Sequence, residues 1–142
     1  MNINKFTQKS LEAVQRTEKL AYEYGNQQID QEHLLYSLLT IDDSLILKLI
    51  TKMGIQENQF LNEVQLAIEK LPKVSGGQVY FSQDANKVLV NAEDEAKAMG
   101  DEYVSVEHLF LSMLKQPNRA VKELFRLYNI TREGFLQALS TV

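Results

Sequence analysis

Cysteine is absent from this 142-residue chain, which excludes disulfides and thiolate metal sites and leads us to expect a cytoplasmic setting. No surplus of basic residues exists either. Net charge is −4, with 7 basic against 10 acidic residues in 1–71 and 8 against 9 in 72–142. Without a stripe of lysine or arginine to neutralise phosphates, no nucleic-acid partner is expected. No apolar run approaches the roughly 18 residues of a membrane helix, and the N-terminus lacks the charged-then-apolar layout of a signal peptide, so no membrane partner is expected. The glycines never form G-x-x-x-x-G-K-[ST], and Gly76-Gly77 is not followed by Lys-Ser or Lys-Thr. The chain by itself is therefore expected to hydrolyse no nucleotide and to carry no cofactor. With no cysteine and only two histidines, a nucleophile, base and orienting group cannot be assembled, and a stand-alone hydrolase is disfavoured.

What the sequence does contain is itself twice. Glu32-His33-Leu34-Leu35 returns as Glu107-His108-Leu109-Phe110, an offset of 75 that holds without a gap and gives 14 identities between residues 6–67 and 81–142. Phe6 meets Phe81, Gly25 meets Gly100, Ser37 meets Ser112 and Phe60-Leu61 meets Phe135-Leu136. Such self-similarity marks two copies of one structural unit. The expected layout is a single domain over 1–142, with repeat one at about 4–71, a linker at about 72–80 and repeat two at about 81–142.

Each copy reads as four helices, giving an all-α, pseudo-twofold fold. The stripe of Phe6, Ser10, Ala13, Val14, Thr17, Leu20, Ala21 and Tyr24 has helical spacing, with Thr7 as N-cap and Gly25 as left-handed stop. Its copy runs from cap Ser82 to stop Gly100, with Glu95 where Leu20 stands. Second helices follow Asp30 and Ser105, third helices end at Gly54 and Asn129, and fourth helices carry Phe60 and Phe135. Gly54 and Asn129 are the two residue types that best tolerate a left-handed cap. The segment Leu71 to Tyr80, with Pro72, Gly76 and Gly77, has no helical period and is expected to be an extended, mobile crossover; no sheet is expected.

His33 and His108 each follow a glutamate, but adjacent helix positions point about 100° apart and no second ligand lies within a turn. They read as structural imidazoles near helix starts, and no metal is expected. Glu32 and Glu107 have two readings. Either each carboxylate sits in a first turn and is favoured by the helix dipole, or the pair flanks a cleft that receives a cationic or hydrogen-bond-donating ligand. Asp101 and Glu102 read as a solvated turn, whose aligned residues Asn26 and Gln27 are uncharged. Phe6, Phe81 and the Leu11, Val14, Val88 and Leu89 set read mainly as core. Yet the helices that open each copy should meet near the pseudo-axis and could leave an apolar groove there.

From Asn4 to Val142 the chain resembles the amino-terminal domain of Clp-type ATP-driven unfoldases. The resemblance rests on Lys5-Phe6-Thr7, on Ile29 to Leu39 with its Glu-His-Leu-Leu centre, and on Asp101-Glu102-Tyr103-Val104-Ser105-Val106-Glu107-His108-Leu109. The linker Leu71 to Gly77 is most similar to the disaggregase branch, ClpB, and less to the protease-linked branch, ClpC. The resemblance implies a doubled four-helix module from a stress-response chaperone, detached from ATPase modules that would hold ATP and magnesium. It also implies a hexameric full-length protein, with the isolated domain a monomer. The partners it implies are unfolded or aggregated polypeptides, held by Thr7, Asp101, Glu107 and Leu89, with Phe6 and Phe81 completing the groove. The ClpC-like alternative is docking of adaptor proteins or of phosphoarginine-marked substrates through Glu32, Glu107, Thr7 and Ser82.

Overall fold

The computed structural model describes residues 2–142. After a 3-10 turn at Ile3–Lys5 come α1 (Gln8–Glu23), strand β1 (Gln28–Ile29), α2 (Gln31–Thr40), α3 (Leu45–Lys52) and α4 (Glu57–Glu69). The second copy follows with β2 (Tyr80–Phe81), α5 (Gln83–Ala98), α6 (Val106–Lys115), α7 (Arg119–Leu127) and α8 (Arg132–Leu139). Eight α-helices among the described residues, four from each copy, match the expected class.

Local chemistry sets the helix ends. Thr7 Oγ1 accepts from the Ser10 N–H at 3.2 Å, and its counterpart Ser82 Oγ accepts from the Ala85 N–H at 3.0 Å, each supplying an acceptor to a first-turn amide. At the other end of these helices Gly25 (φ 74°) and Gly100 (φ 73°) turn left-handed. The next amides, of Asn26 and Asp101, then donate back to Ala21 O and Ala96 O, both at 2.8 Å. Gly54 (φ 91°) and Asn129 (φ 53°) stop α3 and α7 in the same way.

The second helix of each copy forms the centre. α2 packs against α1, α3, α4, α5, α6 and α7, and α6 packs against α1, α2, α3, α5 and α8. Both are buried almost all round and carry most of the large apolar side chains at the centre of the fold. Their buried polar residues include the repeated serines. Ser37 Oγ donates to Ala13 O at 2.6 Å, and Ser112 Oγ donates to Val88 O at 2.8 Å, tying α2 to α1 and α6 to α5. One continuous core contains residues of both copies, with Phe110 against Phe125 and Phe135 in repeat two. Phe60 meets Tyr128 across the copies, edge to face, at 4.9 Å between ring centres.

The structure corrects one expectation. A small sheet exists, since β1 and β2 pair in parallel with Gln28 opposite Tyr80 and Ile29 opposite Phe81. Two residues per strand are too few for an alternation signal. The linker is tied down at its two ends: the Val74 N–H donates to Gly25 O at 2.9 Å, the Tyr80 N–H to Gln27 O at 3.0 Å, and Asn26 Nδ2 to Pro72 O at 3.0 Å. Backbone groups crossing a helix end find partners there that sequence period cannot reveal.

Candidate functional site

The strand pairing has a twin. Phe6 bridges Val104, in parallel, just as Phe81 pairs with Ile29, and the 75-residue offset converts one pair into the other. The Thr7 N–H donates to Val104 O at 3.0 Å, and the Ser82 N–H donates to Ile29 O at 2.9 Å. Each copy thus lays the residues before its first helix against the residues before the second helix of the other copy. Two junctions result, and they gather nearly all the candidate residues. Phe6, Thr7, Asp101 and Glu107 belong to the first; Phe81, Ser82 and Glu32 belong to the second.

In both junctions a histidine three residues into the helix replaces the usual acid of a capping box. The Asp30 N–H donates to His33 Nδ1 at 2.9 Å, and the Ser105 N–H to His108 Nδ1 at 2.8 Å. With Nδ1 accepting, the neutral ring must carry its proton on Nε2, which faces Asn26 Oδ1 at 2.9 Å in repeat one and Asp101 Oδ2 at 2.8 Å in repeat two. The structural reading of the histidines therefore holds, and their partners are the aligned residues 26 and 101. Burial pushes the His33 imidazole down to about 4, against a weaker upward pull from the Asp30 carboxylate.

The two glutamates are not equivalent. Glu32 is only 3% exposed, and its Oε1 accepts from Asn118 Nδ2 at 2.7 Å. Burial raises its carboxyl above the usual range; the Asn118 hydrogen bond opposes this, while the Asp30 and Asp84 carboxylates add to it. Around it lies a polar knot between the copies. Asp30 Oδ1 accepts from Ser82 Oγ at 3.0 Å, Asn118 Nδ2 at 3.1 Å and the Gln31 N–H at 2.8 Å. Gln31, fully buried, donates through Nε2 to Asp84 O and Gln116 O and accepts at Oε1 from the Asn118 N–H at 2.7 Å. Sequence reading missed Gln31 and Asn118. The signal for Gln31 is that copy two has Val106 at its place, so a polar side chain occupies a core position. Glu107, by contrast, is half-buried, and its carboxylate makes no hydrogen bond or ion pair among the described residues. It stands in the first turn of α6, whose free amide ends favour an anion there.

The expected apolar groove is closed in this structure. Leu89 is 1% exposed and Phe6 8%, both inside the core, and only Phe81 is half-buried. Two packed helices leave no opening between them at these positions, because Leu89 lies on the side of α5 that meets the core. What the first junction does present is Tyr103, 50% exposed, beside the bridging Val104, together with exposed Asp101 and half-exposed Thr7 and Glu107. Among the described residues no three His, Asp or Glu side chains converge in a way that could hold a metal ion.

The sequence pattern of the Clp repeat (R) N-terminal domain matches residues 5–128. The chain is 36% identical, over its whole length, to a chaperone protein ClpB of Nitratidesulfovibrio vulgaris, of which it spans 17%. The N-terminal domain of Hsp104 from Candida albicans has the same fold, with a TM-score of 0.82 and 19% identity over 94% of this chain and 88% of that one. A ClpV N-domain solved in complex with a VipB peptide is similar at a TM-score of 0.75, with 22% identity over 97% of this chain and 89% of that one.

Proposed function

The chain belongs to the Clp repeat N-terminal domain family, and from that premise we propose that it is the substrate-recognition domain of a ClpB-type, ATP-dependent disaggregase. In this reading it holds unfolded or aggregated polypeptide and helps pass it to an ATPase ring in the cytoplasm. The domain is itself non-catalytic. The observation that carries the reading is the likeness, along the full chain, to a ClpB chaperone. The peptide bound to a ClpV N-domain of similar fold supports polypeptide as the ligand class. The client face is the first junction: Tyr103 supplies apolar area, Thr7, Asp101 and Glu107 supply polar contacts, and Phe6, bridged to Val104, supports it from below. Weak binding suits a tethered domain, because a hexamer presenting several copies gains avidity through effective concentration.

The test uses surface variants, since Leu89→Glu would unfold a core position. Binding of a permanently unfolded, carboxymethylated protein is measured by fluorescence anisotropy against the domain and against Tyr103→Asp/Glu107→Lys. The double variant, folded by circular dichroism, should bind at least about tenfold more weakly. Equal binding would remove this face from the assignment.

That Glu107 has no partner among the described residues favours a second reading, in which a guanidinium-bearing ligand such as phosphoarginine, or an adaptor protein, docks beside Thr7 as in ClpC-like domains. At Glu32, which lies with Ser82 in the second junction, the same ligand would have to displace Asn118. Phosphoarginine titrated by NMR should then move amides near Glu107 before those near Glu32. Silence at millimolar ligand discards this alternative.

A further inference from the structure

A groove between the end of α6, α7 and the start of α8 differs in charge from the rest of the molecule. Four cations line it, Lys115, Lys122, Arg126 and Arg132, beside half-buried Leu114 and Pro117, and no carboxylate lines it. In a chain of net charge −4 this gathers 4 of the 15 basic side chains in one place. Lys115 and Lys122 are exposed and form no ion pair among the described residues. Arg126 is held by Glu123 on the outer surface, and Arg132 uses Nη2 on Glu95 while its Nη1 has no acceptor.

The duplication supplies an internal control. The residues aligned with the four cations in repeat one are Thr40, Leu47, Thr51 and Glu57, so the same helical corner carries no positive charge there. Helix-end electrostatics explain Lys115 and Arg126, which stand in the last turns of α6 and α7. They do not explain Lys122 in the middle of α7, or Arg132 in the first turn of α8, where the dipole disfavours a cation.

We infer that this groove is a second docking surface, for an acidic, extended polypeptide segment carrying an apolar side chain. Charge complementarity selects the sign of the partner, and the half-buried Leu114 and Pro117 select a ligand with an apolar group among its carboxylates. A nucleic acid is disfavoured: two of the four cations are already paired, and the surface beyond the groove is net negative and would repel a long polyanion. The inference does not rest on the client face around Glu107, since the two surfaces share no residue.

A short Asp/Glu-rich peptide with one Phe, titrated into the isotopically labelled domain, should move amides of Leu114–Gln116, Lys122, Arg126 and Ile130–Arg132. The Asn/Gln counterpart should move none, and added salt should weaken binding. Lys115→Glu/Lys122→Glu should weaken it by at least about tenfold, whereas Lys97→Glu, at an exposed position of α5, reverses a charge outside the groove and should have little effect. No shift at millimolar peptide, shifts confined to the Thr7–Glu107 face, an equal loss with Lys97→Glu, or the same shifts with inorganic phosphate at equal concentration would each overturn the proposal. Binding of the unfolded protein by Lys115→Glu/Lys122→Glu keeps the two surfaces separable, because that variant leaves the Glu107 face intact.

Discussion

Asp101 Oδ2 lies 2.8 Å from His108 Nε2, in the position that Asn26 holds, 2.9 Å from His33 Nε2, in the other copy. One helix-capping device is thus built twice, with a carboxylate behind one imidazole and a neutral amide behind the other. The difference places a charged acceptor on the exposed edge of the first junction, beside Tyr103, and none on the second. In both, the ring holds the N-cap amide through Nδ1, so protonating either ring breaks that bond.

Acid should destabilise the domain through His33. Its folded value is about 4 against an ordinary 6.5, so between these values the unfolded chain binds more protons than the folded one. Stability attributable to this group is complete above about pH 6.5 and is lost as pH falls towards 4, by up to about 3 kcal/mol. Urea denaturation at pH 7 and pH 5 should show the loss, and His33→Gln should flatten the dependence. An unchanged slope in that variant would show that another group is responsible.

Glu32 should act with the opposite sign. Its folded carboxyl titrates above the usual range, so the folded state binds the extra proton and this group's contribution to stability falls as pH rises through that window. Glu32→Gln keeps an oxygen able to accept from Asn118 and removes a buried charge near Asp30 and Asp84. It should raise stability at pH 7 and leave stability at low pH nearly unchanged. A fall in melting temperature at neutral pH would contradict this.

The buried Glu95 needs Arg132. Their contact is 2.6 Å, and Glu95 is almost fully enclosed while the Arg132 side chain is 38% exposed. Arg132→Ala should cost about 2 kcal/mol, less than for a fully buried pair because solvent reaches the guanidinium. Adding Glu95→Leu should recover most of it, since Leu20 fills the aligned position of repeat one. Denaturant midpoints of the double-mutant cycle decide this; additive losses would rule the coupling out.

Ser37→Ala and Ser112→Ala should cost about 1 kcal/mol each, the net worth of one hydrogen bond, and should cost nearly the same if the copies pack alike. Thermal or urea unfolding of the two single variants is the measurement. A large inequality would mean that the two inter-helix contacts are not equivalent.

Much of this was legible in the residues themselves. Thr7, Ser82, Gly25, Gly100, Gly54 and Asn129 act within a few positions of where they stand, so their roles as caps and stops can be read locally. The histidines were legible as structural for the same reason. Glu32 and Glu107 were not legible as different, because the difference comes from Asn118, which lies 86 residues from Glu32 along the chain. Nor was Leu89: a helix stripe says which side is apolar, not whether a neighbour covers it.

The sequence alone determined a duplicated four-helix unit, since 3.6-residue periodicity and capping are local and survive copying. Tertiary structure alone decided that each copy borrows the other's strand, that one glutamate is sealed while its twin is open, and that the linker is fastened at its two ends. The physical reason is that burial and hydrogen-bond partners are properties of pairs of distant segments, and the interface between the copies does not place the same residues on its two sides.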